Sequence, residues 1–278
     1  MKKIIFILLF LSYSSFSQDF GEYITENAIE IKDITNLSKE VYAEISTFEL
    51  IMIGEMHGTQ EPSLLVESLA KLIVEKEGNV SVGLEIPIDE LSTFIENPTK
   101  DNLLNSKFFK KENIDGRNGQ SWFNLIISCA KDTSINLFFF DNVNTLTDEK
   151  RDSIMYVGIK NHKLKFPNNK IITISGNIHN WRVPFNNMTT MGMYCIQDSL
   201  NFSPDKICSI NHVYSEGTML NNVGNGLELS TVPFEVNIYS KSSNYENYLL
   251  FYGLSKENRY NGLFYTRKVN PSRRIESR

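Results

Sequence analysis

The stretch Phe48-Glu49-Leu50-Ile51-Met52-Ile53-Gly54-Glu55-Met56-His57-Gly58-Thr59 passes from an apolar segment straight into a glycine-flanked turn that carries an acid and a histidine. The apolar residues predict a buried strand over Phe48–Ile53. The two glycines allow a sharp turn at its end, where Glu55 could orient His57 as a general base or as a metal ligand. Alternatively, Glu55 caps the next helix and His57 packs against the loop.

Three further apolar runs are also followed by residues that can act as general acids, general bases or metal ligands. They are Val80–Leu84 before Glu85, Ile135–Phe140 before Asp141, and Ile171–Ile174 before Ser175-Gly176-Asn177-Ile178-His179. The last of these repeats the Gly-x-x-His form of Gly54–His57. If the runs are parallel strands, their carboxyl ends lie along one edge of the sheet, where open α/β folds bind ligands. We therefore expect these polar side chains to meet at one site.

Histidines and carboxylates that converge in this way could form a general acid/base site or hold a divalent ion of manganese, cobalt, zinc or iron. The candidate catalytic residues are Glu55, His57, Glu85 and His179, and the candidate metal ligands are Glu55, His57 and His179. The candidates for binding substrate are Asp141, Arg151 and Asp152. Each of these three also has a structural explanation: a turn for Asp141, a surface ion pair for Arg151 and the helix dipole for Asp152.

The segments between the runs predict helices and therefore an α/β class with a largely parallel central sheet. Apolar periodicity predicts helices over Glu61–Glu77, Trp122–Lys131 and Asp148–Lys165, and a partly helical segment over Asp89–Phe109. The final third predicts shorter strands that extend the sheet or form an antiparallel edge; they are Met191–Ile196, Lys206–Val213, Phe234–Tyr239 and Tyr248–Tyr252. No Gly/Ser/Pro-rich linker divides residues 18–278, so we expect a single domain.

Two polar segments predict surface structure. Lys110–Gln120, which contains Gly116 and Gly119, reads as a mobile surface loop. Ser272-Arg273-Arg274 reads as a frayed, solvated tail.

Residues 1–17 have the layout of a secretory signal peptide, with Lys2 and Lys3, the apolar stretch Ile4–Leu11, and Ser15-Phe16-Ser17 as the cleavage site. The apolar stretch is too short to span a bilayer, so we expect export to the periplasm or beyond the cell without a stable membrane span; a retained anchor is the alternative. Cleavage would change the formal net charge from −5 to −7, because 26 basic residues would face 33 acidic ones. A mildly acidic chain without a basic stripe argues against a nucleic-acid partner.

The three cysteines and the two other histidines have ordinary explanations. Cys129 lies in an apolar helical stretch and is expected to be a buried thiol, whereas Cys195 and Cys208 flank a loop and could form a disulfide. His162 lies among lysines and is expected at the surface. His212 alternates with apolar residues along a strand and is expected to be half-buried.

The motifs, taken in order, resemble those of one superfamily. The matching segments are Ile51-Met52-Ile53-Gly54-Glu55-Met56-His57, Gly83-Leu84-Glu85, and Ile174-Ser175-Gly176-Asn177-Ile178-His179 with the following Arg182 and Pro184. They resemble the ChaN-like haem-binding uptake proteins, to which Tiki/TraB-type proteins and erythromycin esterase-like enzymes are related. The resemblance covers roughly residues 48–185.

This resemblance implies several functions. The resemblance to Tiki-like proteins implies a metal-dependent peptidase with paired Gly-x-x-His motifs. The resemblance to esterase-like enzymes implies a histidine that activates water with the help of a nearby glutamate. Those enzymes usually have one more residue between the glutamate and the histidine than this chain has between Glu55 and His57. ChaN-like proteins are typically lipoproteins that bind haem through a tyrosine, and this chain has no cysteine at its predicted cleavage site. We expect an exported hydrolase that cleaves an ester or amide bond in a small molecule or peptide. The alternatives are a haem-binding uptake protein without turnover and an interaction protein that has lost its activity.

Overall fold

The computed structural model describes residues 21–111, 115–142, 148–222, 227–232, 244–253 and 258–275. The predicted signal peptide and the predicted strand Phe234–Tyr239 lie outside these ranges.

One mixed sheet organises the described residues. Its nine strands are β1 (Ile29–Glu30), β2 (Leu50–Glu55), β3 (Val80–Pro87), β4 (Ile135–Asp141), β5 (Ile171–Gly176), β6 (Ile207–Asn222), β7 (Leu227–Thr231), β8 (Asn247–Phe251) and β9 (Gly262–Val269). Their order is β1-β8-β9-β6-β2-β5-β3-β4, with β7 paired to β6. The six strands from β9 to β4 run parallel to one another, whereas β1, β7 and β8 pair antiparallel. This confirms the predicted α/β class with a largely parallel sheet.

The helices lie on both faces of the sheet. They are α1 (Lys39–Ile45), α2 (Glu61–Glu77), α3 (Ser92–Glu96), α4 (Lys100–Leu104), α5 (Gln120–Lys131), α6 (Asp148–Lys165) and α7 (Met191–Gln197), and residues 21–27 are also helical. Single 3₁₀ turns occupy Ile88–Glu90, Asn177–Asn180 and Pro204–Lys206. Within the described ranges, every helix is too short or too polar to cross a bilayer.

Two apolar cores hold these layers together, because the parallel strands bury both of their faces. On one face, residues of α2 and α5 pack against alternate residues of the central strands, such as Ile51 and Ile174. On the other face, residues of α6 and α7 pack against the intervening positions, such as Met52. The carboxyl ends of β2, β3 and β5 lie side by side between the two helical layers.

Two predictions in the final third need correction. Met191–Ile196 is not a strand but part of α7, because Thr190 caps this segment as a helix by accepting a hydrogen bond from the Met193 amide, and Met191 and Cys195 face the core one turn apart. The predicted strand Lys206–Val213 is present but extends to Asn222 as β6. Strand β9 has no counterpart among the predictions.

The cysteines are free thiols, and each of them is buried. Cys195 belongs to the core beneath α7 and Cys208 to the core on the opposite face of the sheet. The sheet separates the two sulfur atoms, so the proposed disulfide between them is wrong.

The two histidines outside the predicted site are more enclosed than expected. His162 stacks on Phe138 with ring centroids 3.8 Å apart and contacts the Ser81 hydroxyl, and burial lowers the pKa of His162 to about 4. His212 is fully buried against Phe264, and burial lowers its pKa to about 3. His212 is therefore part of the buried interior, and the partly buried His162 packs against aromatic side chains.

Candidate active site

The first dyad forms at the carboxyl end of β2. Glu55 is the last residue of the strand, and its side chain is completely buried. Its Oε1 lies 2.8 Å from Nδ1 of His57, and its Oε2 accepts a hydrogen bond of 3.4 Å from the indole of Trp122. The carboxylate therefore orients the imidazole and does not cap the following helix. With Nδ1 engaged, Nε2 of His57 is the nitrogen left to accept a proton.

The second dyad forms after β5 and repeats this arrangement. His179 lies on the 3₁₀ turn after the strand, and its Nδ1 is 2.9 Å from Oδ1 of Asp152 on α6. The same carboxylate oxygen accepts a hydrogen bond of 2.8 Å from the Met191 amide at the start of α7. Asp152 thus ties a catalytic candidate to two helices, and the dipole of α6 is not its only role.

The two imidazoles meet beside Gly176. A side chain placed on this glycine would have its Cβ 3.2 Å from Nε2 of His57 and 3.5 Å from Cδ2 of His179. The Gly176 amide donates a hydrogen bond of 2.7 Å to Oε2 of Glu85 on the neighbouring strand β3. The structure therefore brings His57, His179 and Glu85 to one place, although 122 residues separate the two histidines in the sequence (179 − 57).

Glu85 is the centre of a charge network. Its side chain is 1% exposed, and Oε1 accepts a hydrogen bond of 2.7 Å from Arg117 and another from Arg151. Arg151 also binds Asp141 through Nε and Nη2, at 3.0 and 2.8 Å. Arg151 is therefore an ion-pair partner within the site, and Asp141, which also accepts from the following Asn142 amide, holds it there.

The electrostatics follow from burial and from these partners. Burial disfavours the charged form of His57, but the carboxylates of Asp115 and Glu55 outweigh burial and raise its pKa. Burial likewise opposes a charge on His179, and Glu85 and Asp152 together raise its pKa. Burial raises the pKa of Glu55. For Glu85, burial acts in the same direction, yet Arg117 and the two histidines hold its pKa well below the usual range.

Two residues of the site were missed in the sequence. Arg117 donates to Glu85 and also forms a fork with Asp115, through hydrogen bonds of 2.8 and 2.9 Å. Oδ2 of Asp115 lies 3.7 Å from Nε2 of His57. Both belong to the segment Lys110–Gln120, whose described part is not simply a surface loop, because the Arg117 side chain is only 12% exposed. In the sequence, the only sign of these two site residues was an acid and an arginine on either side of a glycine, Asp115-Gly116-Arg117. The segment has no apolar periodicity that would have placed it against the sheet.

A divalent metal does not fit this arrangement. The acidic side chains that would supply its ligands are already paired, Glu85 with two guanidinium groups and Glu55 with His57. Two arginines beside the central carboxylate also disfavour a further cation. Among the residues that the structure describes, no three His, Cys, Asp or Glu side chains are grouped so that they could hold an ion.

No protein-family model and no curated protein sequence matches this chain. Solved structures do share its fold. A Bacillus cereus protein has a TM-score of 0.71 and 11% identity over 94% of this chain and 99% of its own, and a succinoglycan biosynthesis protein has a TM-score of 0.71 and 12% identity over 93% and 99%. Erythromycin esterase EreC, in the open conformation of a histidine-to-asparagine mutant, has a TM-score of 0.57 and 11% identity over 86% and 95%.

These similarities establish a common fold, which erythromycin esterase shares. A haem-bound ChaN protein of Campylobacter jejuni also matches, with 12% identity, but its TM-score of 0.43 is too low to support an argument about function.

Proposed function

We propose that this chain is an exported hydrolase that cleaves an ester or amide bond in a small molecule or peptide without a metal ion. The observation that carries the proposal is the convergence of two His–carboxylate dyads beside Gly176. In the sequence these dyads are far apart, and a purely structural role would not require both imidazoles to turn toward the same point. The shared fold with erythromycin esterase supports the same class of reaction.

In this mechanism His57 is the general base. Glu55 holds Nδ1 as the donor, so Nε2 accepts a proton from a water molecule as that water attacks the scissile carbonyl. The buried carboxylate of Glu55 and the partly exposed carboxylate of Asp115 then stabilise the imidazolium that forms.

His179 is the general acid. Glu85 and Asp152 raise its pKa, which favours the protonated form that can donate a proton to the leaving oxygen or nitrogen. Arg117 and Arg151 contribute positive charge next to the carbonyl oxygen as it becomes negative. Glu85 holds both guanidinium groups in place and remains ionised throughout.

The experiment is turnover of a panel of p-nitrophenyl esters and chromogenic peptide amides by the purified mature chain. His57→Asn should lower kcat by about 100-fold or more, which is the size of a general-base contribution. His162→Asn is the matched control, because this histidine lies at the opposite end of the sheet, against Ser81; its kcat should stay within about twofold of the wild type, as expected for a site away from the chemistry.

Three results would overturn the proposal. They are full activity in the His57→Asn variant, activity that EDTA removes and a divalent metal restores, and a stoichiometric Soret band with hemin in a protein that hydrolyses nothing in the panel. Retained activity in EDTA together with loss in His57→Asn would support it.

A further inference from the structure

The C-terminal segment Asn270–Arg273, here called the clasp, lies between two loops of the candidate site. One is the base loop, residues 56–61, which carries His57. The other is the arginine loop, residues 115–121, which carries Arg117. The clasp follows directly from β9, and its central residue Ser272 is completely buried. The predicted frayed tail is therefore wrong at Ser272, whereas the side chains of the two following arginines are exposed as predicted.

Backbone hydrogen bonds attach the clasp to the base loop. The Ser272 amide donates to the Gly58 carbonyl at 2.7 Å, and the Gln60 amide donates to the Asn270 carbonyl at 3.0 Å. The Gln60 side chain adds a bond of 2.7 Å to the Pro271 carbonyl. The residues immediately after His57 are therefore held by the chain terminus.

The other side of the clasp holds the arginine loop. Oγ of Ser272 accepts a hydrogen bond of 3.2 Å from the Ser121 amide and lies 2.8 Å from the Ser121 hydroxyl. The Gln120 amide donates to the Arg273 carbonyl at 2.8 Å. Ser272 contacts both loops, through its amide on one side and its hydroxyl on the other.

The two loops also touch directly, with no room for adjustment. A Cβ on Gly116 would lie 2.7 Å from the Gly58 Cα and 2.3 Å from the Leu220 carbonyl oxygen, and both glycines have positive φ. The base loop and the arginine loop therefore pack so closely that their contact depends on the relative position of the two backbones.

We propose that Ser272 is a positioning residue that fixes the arginine loop against the base loop, and so sets Arg117 and Asp115 relative to Glu85 and His57. The inference rests on the proposed function. It assigns a role in the reaction to a residue that touches none of the reacting groups and lies 215 positions from His57 in the sequence (272 − 57).

The first test measures the loops themselves by hydrogen–deuterium exchange of the full chain. Ser272→Ala should speed exchange in residues 115–121 by about fivefold or more, since losing one hydrogen bond costs on the order of 1 kcal/mol. Ser81→Ala is the matched control: Ser81 is also completely buried and binds two side chains, but near the start of β3. Unchanged exchange in Ser272→Ala, or an equal change in Ser81→Ala, would overturn the proposal.

The second test is a double-mutant cycle in the hydrolase assay. Ser272→Ala should lower kcat by about 10- to 100-fold with little change in KM, because a small displacement of a catalytic group is costly. In an Arg117→Ala background it should have almost no further effect, because the residue acts through the arginine loop. If the losses in kcat from Ser272→Ala and Arg117→Ala simply multiply in the double variant, or if Ser272→Ala leaves kcat unchanged, Ser272 has a structural role only and the proposal is overturned.

The two tests also separate this proposal from the proposed function. A wild-type protein that hydrolyses nothing in the panel contradicts the function, and with it any role of Ser272 in turnover, whereas the exchange experiment still decides whether the clasp couples the two loops.

Discussion

Oδ2 of Asp115 lies 3.7 Å from Nε2 of His57, on the opposite side of the ring from Glu55. The imidazole of the candidate base is therefore held between two carboxylates, one at the end of strand β2 and one on the arginine loop. Glu55 fixes its orientation, and Asp115 acts on the nitrogen at which the proton would be transferred.

Asp115 raises the pKa of His57 and so sets the pH range in which this candidate base is neutral. His57 must be neutral to accept a proton, and its pKa is raised above 6.5 mainly because Asp115 favours the imidazolium. Activity should therefore rise with pH through a midpoint above 6.5. Asp115→Asn removes the negative charge and lowers the His57 pKa, so the acidic limb of kcat/KM should move to lower pH. A pH–rate profile, with the His57 titration followed by NMR, checks this; an unmoved limb would contradict the assigned base.

Glu55 should contribute mainly to orientation and to the stability of the imidazolium. Glu55→Gln should lower kcat by about 10²- to 10⁴-fold, the range for losing general acid–base assistance, without a large change in KM. Trp122→Phe removes the long contact of 3.4 Å to the other carboxylate oxygen, together with part of a fully buried side chain, and keeps the bond between Glu55 and His57. It should lower kcat by less than about tenfold, the cost of a weak hydrogen bond. Steady-state kinetics of both variants measure the difference. Equal losses would mean that packing around the carboxylate, and not its bond to His57, matters.

Glu85 should be important for stability as well as for the site. Glu85→Gln leaves two partly buried guanidinium groups without their shared carboxylate and should lower the free energy of unfolding at pH 7 by about 3–5 kcal/mol. Because the folded-state pKa is depressed, the stabilisation is complete above the usual value of 4.5 and is lost as the pH falls below it. The difference between variant and wild type in urea denaturation should therefore shrink toward pH 3. The control Glu75→Gln, at an exposed ion pair, should change stability by less than about 0.5 kcal/mol.

Two glycines with nearly the same positive φ should respond very differently to alanine. Gly58 and Gly78 have φ of 91° and 87°. A Cβ at Gly58 would lie 1.9 Å from the Leu220 carbonyl oxygen, whereas a Cβ at Gly78 would meet nothing within 4 Å. Gly78→Ala should cost about 1–2 kcal/mol from backbone strain alone, and Gly58→Ala clearly more. Unfolding in guanidinium chloride compares them; similar losses would contradict the close packing at Gly58.

The cysteines should behave as three isolated thiols. Burial raises the pKa of Cys129 to about 12, and burial also raises the pKa values of Cys195 and Cys208. A thiol reagent should therefore react slowly with the native protein and with three groups per chain after denaturation without reductant. Fewer than three reactive groups would indicate a disulfide.

The strands of the parallel sheet and the ends that they bring together could be predicted because their signals are local. An apolar run that ends in glycine and a polar residue identifies both a buried strand and its carboxyl end, and parallel strands align those ends. His57, Glu85 and His179 therefore fall at one edge as a consequence of topology, and Arg151 follows because α6 begins beside the same edge.

The other half of the site could not be predicted because its contacts are not local. Arg117 reaches Glu85 across 32 residues from a segment without periodicity (117 − 85). Ser272 is buried only because β9, whose alternation is interrupted by Arg267 and Lys268, delivers it between two loops. At Met191–Ile196 the wrong periodicity was assigned, because a short run that is apolar at nearly every position fits a strand and a helix equally well until the cap at Thr190 is recognised.

The contact between the Trp122 indole and Glu55 has a practical consequence. The chain has only two tryptophans; the second, Trp181, follows the turn that bears His179 and donates to the Tyr260 hydroxyl at 2.6 Å. One tryptophan thus contacts the first His–carboxylate dyad, and the other lies two residues after the histidine of the second. The tryptophan emission of the unlabelled protein should therefore change when the site takes up a proton or binds a ligand, so it can be used before any substrate has been identified.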